Sequence, residues 1–504
     1  MSRTIWRRAL LASGVALAGG ASVTGAQVRP PTTDTGTVVR TARLIGATID
    51  TTGVPFSFGE FIDAILARHP VTQQARTIAQ AARAELRTAW GAFDPTLSAT
   101  WDQKRFQGST YYNYVDAELK IPTGIGADVT LAFDRTLGRF FNPDRRTTGL
   151  GTFEAGVSIP LGQGIITDAR RNALQQARAT AAAGEADQLA IVNKLLFSAT
   201  KDYGAWYETW RRRLIAEEGE ALARFRLQAV RQRVANGESP PIDTVEAVLE
   251  VQRREVTRFE SEANYYVATL TVTAYLWDDI GRGVALPDSA KPVLDGIDRA
   301  GIDSTRLAGL LDVATRRNPD LLKVQARIRG AEAQRLLTFQ GLLPFAEAKL
   351  SGLTERGLDD PFFDGARLDN NYKAGLTVRT PLLYLRESGR FAAAGQRLEF
   401  QRLEYDRLRR DVEFDARAAI FDLSNLERLL VRQRANVRNA GLLRDAEQIR
   451  FENGESTLLF VNIRERLVLD ESIKLASIEA KVASARGALA VATGDRTLLR
   501  GTRP

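Results

Sequence analysis

Arg233-Val234-Ala235-Asn236-Gly237-Glu238-Ser239-Pro240-Pro241-Ile242-Asp243-Thr244-Val245-Glu246-Ala247 ends a very long proline-free stretch, and its centre recurs as Asn453-Gly454-Glu455-Ser456 at the end of a second such stretch. The stretches run from about 167 to 235 and from 386 to 452 and read as helix throughout. About 67 residues at about 1.5 Å each make a rod of roughly 100 Å. Helices of that length must lie side by side as coiled coil. Ala416, Ala419, Leu423, Leu426, Leu430 and Val437 follow the three-four spacing of a buried helix face. The Ala-rich run 177–186 suits close helix approach. Gly237 and Gly454 suit the left-handed position just past a helix end. Ser239, followed by Pro240, and Ser456 then offer caps for return helices over 242–277 and 459–493.

Outward from the two tips the whole chain repeats. Phe61 to Pro70 resembles Leu310 to Pro319, with Pro70 and Pro319 at an offset of 249, and Pro95 and Pro344 keep that offset. The tips sit at an offset of 217, so the first copy carries about 32 extra residues. The Pro160 and Pro381 pair, offset 221, places nearly all of them between Pro95 and Pro160. Such self-similarity predicts two structural units, 55–278 and 304–494, joined by a linker at 279–303. Each opens with a helix interrupted at Pro70 or Pro319; Ser57 with Glu60 has capping-box spacing. Each continues with strands, over 95–161 and 344–381, then a long helix (165–235, 386–452), the tight turn and the return helix.

The strand segments alternate with period two. Val115, Ala117, Leu119 and Ile121 interleave with Asp116, Glu118 and Lys120, and Tyr372, Ala374, Leu376 and Val378 with Lys373, Gly375, Thr377 and Arg379. One face meets water; the other is free to face lipid or a protein core. The first copy has four such runs and the second two, with the extra hairpin turning at Pro122-Thr123-Gly124.

Composition narrows the chemistry. The 504 residues include no Cys and one His (His69), which excludes thiolate metal sites, disulfide frameworks and cysteine catalysis and argues against a His-based triad. No paired-carboxylate motif or metal-ligand spacing stands out, so no catalytic, cofactor or metal residue is assigned and an enzyme is disfavoured. Arg3, Arg7 and Arg8 precede an apolar stretch and a small-residue cleavage site before Gln27, the layout of a signal peptide over 1–26. Removing its three arginines from a net charge of +8 leaves +5, no signature of a nucleic-acid partner. An extended arm is expected over 27–54 and a tail over 495–504.

The duplicated tip, with Arg233, Gly237, Asp243 and Ala247, the His69-Pro70 and Asn318-Pro319 breaks, and the Pro95, Pro344, Pro160-Leu161 and Pro381-Leu382 strand boundaries together resemble the TolC-like outer-membrane efflux proteins over nearly all of the mature sequence. The resemblance implies a mainly α fold with membrane β-structure: a homotrimer whose long helices form an α-barrel tunnel across the periplasm, joined to one shared transmembrane β-barrel in outer-membrane lipid. It implies the channel of a tripartite efflux or type I secretion system, working with a periplasmic adaptor (membrane fusion) protein and an inner-membrane transporter. The tip residues Gly237, Glu238, Ser239, Gly454, Glu455 and Ser456 would then dock the adaptor. Asp243 reads either as an acid complementing its helix dipole or, by the resemblance, as a gate residue. Phe460, six residues after Gly454, stands where the family often has an acid, and Ile463 follows three residues on; as gate candidates they read two ways, since Phe460 either packs between helices or builds an apolar constriction. Family members give four strands per subunit, and the surplus hairpin departs from that pattern, either enlarging the barrel or lying outside it. A soluble periplasmic coiled-coil scaffold, its strands packed as a sandwich, is the alternative.

Overall fold

The computed structural model describes residues 43–44, 47–48, 55–287, 289–294, 304–355 and 371–494, all within one compact unit, Ala42–Pro504. The expected leader, tail and most of the 27–54 arm lie outside the described residues. Short strands β1 (Arg43–Leu44) and β2 (Ala47–Thr48) pair with each other. Strand β3 (Pro55–Ser57) leads into α1 (Phe58–Arg68), which starts in a reciprocal capping box: Glu60 N–H donates to Ser57 Oγ and Ser57 N–H to the Glu60 carboxylate.

Helix α2 (Pro70–Trp90) follows at once. His69 precedes a proline and is therefore held extended, at φ −63° and ψ 132°, which ends α1. Its Nδ1 accepts from Val71 N–H and starts the next helix. The same device recurs in the second copy, where Asn318 caps through Oδ1, accepting from the N–H groups of Asp320 and Leu321.

Strands β4 (Thr96–Phe106), β5 (Ser109–Pro122), β6 (Asp128–Gly138) and β7 (Thr152–Pro160) follow. Next come α3 (Ala169–Ala235), α4 (Ile242–Thr273), β8 (Lys291–Val293), α5 (Ser304–Arg317) and α6 (Pro319–Gln340). The second copy ends with β9 (Phe345–Thr354), β10 (Tyr372–Arg379), α7 (Leu385–Glu452) and α8 (Leu458–Thr493). Helix α3 begins at 169 rather than 165, because Asp168 is extended and its carboxylate accepts from Arg171 N–H. Helix α4 stops at 273 rather than 277: Leu276 and Trp277 enter a tight turn, with Val284 N–H donating back to Leu276 O.

Small residues let the rods approach. A Cβ on Gly184 of α3 would stand 2.7 Å from Ala82 of α2, and one on Gly487 of α8 would stand 2.7 Å from Thr200 of α3. The largest core gathers where β3 pairs in parallel with β8. Phe61, Leu196, Tyr203, Trp206, Val272 and Leu276 are fully buried there. The Tyr203 hydroxyl donates to Phe56 O and accepts from Val293 N–H, bracing both strands. A second core joins α7 and α8 through Leu423, Leu426, Leu430, Val482 and Leu489.

Candidate functional site

Two regions carry the features singled out by sequence: the helix tips and the sheet at the opposite end of the long helices. At the first tip Gly237 is left-handed (φ 77°); Glu238 N–H donates to Arg233 O at 2.8 Å and Gly237 N–H to Val234 O at 3.1 Å. The second repeats this, with Gly454 at φ 78°, Glu455 N–H on Arg450 O at 2.8 Å and Gly454 N–H on Phe451 O at 3.1 Å. These are paired Schellman endings, which satisfy carbonyls that the helix leaves open.

The caps expected after the tips are absent. Helix α4 starts at Ile242 behind Pro241, with no side-chain cap, so Ser239 does not cap it and Pro240 is not its first residue. Two consecutive prolines lack N–H groups, and they place the chain in a turn before helix begins. Helix α8 starts behind Thr457, also without a side-chain cap, and Ser456 Oγ instead donates to Glu447 Oε1 at 2.6 Å. That bond, with Arg450 and Arg464 nearby, holds the Glu447 carboxyl below the usual range against the opposing effect of burial.

Asp243 sits in the first turn of α4 and is half-buried. Phe460 is 52% and Ile463 46% exposed, so neither is packed away among the chain's own helices. Val230, Ala247 and Leu458 form a small core that includes Phe451, over whose ring the Arg233 guanidinium lies at 4.7 Å. The two hairpin tips therefore touch.

Above the tips lies an ion-pair system that sequence reading missed. Glu250 on α4 accepts from Arg254 of its own helix and, at 2.6 Å, from Arg466 of α8. Burial acts to raise the Glu250 pKa, but the two arginines outweigh it and hold the carboxyl below its ordinary value. Arg226 of α3 grips Glu465 of α8 and donates to Asn462 at 3.0 Å. The i,i+4 pair Glu250/Arg254 was available as a signal; the partner 216 residues away was not.

At the other end, β4, β5, β6, β7, β9 and β10 form one antiparallel sheet in that order. The extra hairpin β5–β6 is thus interior to the sheet. Its turn is tied to the start of α3, where Arg170 donates to Asp128 at 2.7 Å, and Lys120 reaches the same carboxylate at 3.0 Å. The registers Leu97↔Leu119, Leu119↔Leu131, Leu131↔Ala155, Ala155↔Gly352 and Gly352↔Tyr372 carry one face across all six strands. That face holds Leu97, Trp101, Leu131, Val157, Leu350 and Leu376, all exposed. The opposite face carries Asp116, Asp134, Glu154, Lys349 and Lys373. Among the described residues no second sheet is packed on either face, as the sandwich of the scaffold alternative would need.

The segment between β6 and β7 folds onto the charged face. Thr147 Oγ1 accepts from Thr136 N–H at 2.8 Å, and Arg145 lies 3.4 Å from Asp116 and 4.6 Å over the Tyr114 ring. Phe140, exposed, packs on Tyr111 with ring centroids 4.9 Å apart.

No protein-family model and no curated sequence matches the chain. Solved structures do. The outer-membrane protein VceC from Vibrio cholerae aligns at 17% identity and a TM-score of 0.57, covering 87% of this chain and 96% of that one. The chain has the outer-membrane-channel fold. The CmeC outer-membrane channel of Campylobacter jejuni aligns at 13% identity and 0.57, covering 87% and 85%, and the open state of the Neisseria gonorrhoeae MtrE outer-membrane channel at 14% and 0.57, covering 87% and 88%. The resemblance read from the duplicated tip therefore holds at the level of fold. Within this channel fold no helix among the described residues is long and apolar enough to cross a membrane. The strands carry one continuous exposed apolar face, and large apolar side chains such as Phe225, Phe259, Phe414 and Phe421 are exposed on the helices as well.

Proposed function

We propose that this protein is the outer-membrane channel of a tripartite efflux or type I secretion system, a passive export duct from periplasm to exterior. The observation that carries the reading is the uncovered sheet, apolar on one face and charged on the other, on top of helical rods. In lipid, an open sheet edge leaves backbone groups without partners. Cyclic association of three copies removes every edge and creates an axial pore. The apolar face then meets lipid, the charged face lines water, and the helices continue the tunnel through the periplasm. No catalysis is assigned to the chain; energy comes from an inner-membrane transporter, reached through a periplasmic adaptor.

The tips are the adaptor-docking surface. Gly237, Glu238 and Ser239 on one hairpin and Gly454, Glu455 and Ser456 on the other offer two chemically matched turns, exposed at the glycines and glutamates and half-buried at the serines. Asp243, Phe460 and Ile463 are the gate candidates. Three half-exposed Phe460 side chains around an axis would close the mouth by packing and dewetting.

Two measurements test the reading. The protein should remain in the membrane pellet through a carbonate wash, where a soluble scaffold would be released. Single-channel recording should give a mostly closed pore for the natural chain and a raised open probability for Phe460→Ala. An unchanged closed state would remove Phe460 from the gate, and release by carbonate would remove the channel.

A further inference from the structure

We infer that three copies of this chain close a barrel of eighteen strands, each copy's β4 edge pairing with the β10 edge of the next; this rests on the trimeric duct proposed above. Six strands per copy are hydrogen-bonded in one sheet, and three copies supply eighteen. The extra hairpin is not an appendage. Strand β5 pairs with β6 from Tyr112↔Gly138 to Pro122↔Asp128, and β6 with β7 from Asp128↔Ser158 to Asp134↔Thr152. Its apolar residues continue the lipid-facing rows, and Arg170 anchors its turn to the helices.

The two outer strands have the properties of edges awaiting a partner. Strands β4 and β10 are exposed along their whole lengths, unlike the four between them. Strand β4 runs away from the helices and β10 toward them, so a β4 and a neighbour's β10 meet antiparallel. Leu97, Ala99 and Trp101 on one edge and Ala374, Leu376 and Val378 on the other carry the same apolar face to both borders.

The stagger fits closure. Followed straight across the sheet, Thr96 lines up with Lys120, Thr130, Gly156, Ser351 and Lys373. The last residue of β10 is Arg379, six positions further toward the helices. If the neighbour's Thr96 meets Arg379, the shear is one residue per strand. With a rise of about 3.3 Å and a spacing of about 4.8 Å, this tilts the strands by about 35°, within the range that closed barrels adopt. At that tilt eighteen strands enclose a backbone cylinder roughly 34 Å across, against roughly 23 Å for twelve. The wider cylinder has the size class that leaves an aqueous channel, and it makes room for the 139–151 segment that folds over the charged face.

The test is electron cryo-microscopy of the full chain, purified in detergent and placed in lipid nanodiscs, at a resolution that separates strands. The expected result is a three-fold ring with eighteen strands and β5–β6 in its wall. A three-fold ring of twelve strands, with β5–β6 outside it, would overturn this inference and leave the trimeric duct standing. A ring of any other copy number, including a twelve-stranded dimer, or no ring at all, would overturn both.

Discussion

Gly237 and Gly454 have φ near +77°, yet a Cβ built on either meets nothing within 4 Å. Their requirement is thus purely conformational. Gly237→Ala or Gly454→Ala should cost roughly 1–2 kcal/mol of local stability, the penalty of a left-handed L-residue. Hydrogen exchange should show this as faster opening of the last turn of α3 or α7, with the cores around Trp206 and Leu423 unchanged. Asparagine at either position should cost less. The glycines were readable because helix termination is a property of the adjacent chain. The caps were not: Ser239 has the right side chain, but Pro240-Pro241 delays the helix, and Ser456 is claimed by Glu447, nine residues back. A cap is a competition among acceptors and donors, and one competitor arrived through the folded tip.

Between residue and rod, the Glu250–Arg466 pair links α4 of the first hairpin to α8 of the second. The Glu250 carboxyl is held below its ordinary value, so the folded state favours its charged form. Its stabilisation is therefore complete above the unfolded carboxyl pKa and is lost as pH falls through the lower folded one. Acidification below the ordinary carboxyl value of 4.5 should loosen α4 from α8, seen as smaller protection factors in both helices, after correction for the intrinsic pH dependence of exchange, than at pH 7. Glu250→Gln should flatten that pH dependence and cost about 1 kcal/mol, since Arg466 is half-exposed. In the sheet, the period-two alternation identified the strands, because side-chain direction is local. Which strand neighbours which is decided over long range, and only the folded registers put β5–β6 inside the sheet. They also show Arg145 reaching across the charged face to Asp116. If that face lines the pore, Arg145→Ala should free the 139–151 segment and raise single-channel conductance, with Arg145→Lys intermediate because a lysine lacks the planar stack on Tyr114.

At the scale of the molecule, the two copies were legible from matched prolines and tips, while the closing of the proposed barrel would be a property of several chains together. One consequence separates assembly from folding. The β10 residues Leu376 and Thr377 are neighbours in sequence but point to opposite faces of the sheet. Leu376→Lys would place a charge on the apolar face near a subunit border, at a cost of about 2–4 kcal/mol per copy if it lies near the bilayer midplane. Thr377→Lys would place the same charge on the face already carrying Lys349 and Lys373. Both leave the helical rods and the Trp206 core untouched, so helix content should match the natural chain in each. Because edges in lipid are satisfied only by neighbouring copies, insertion and trimer formation should fail together. Leu376→Lys should therefore leave the membrane pellet in carbonate and run as smaller particles on sizing columns, whereas Thr377→Lys should stay inserted and assembled. If Leu376→Lys remained membrane-bound and trimeric, the apolar face would not be the lipid face, and the channel reading would lose its physical basis.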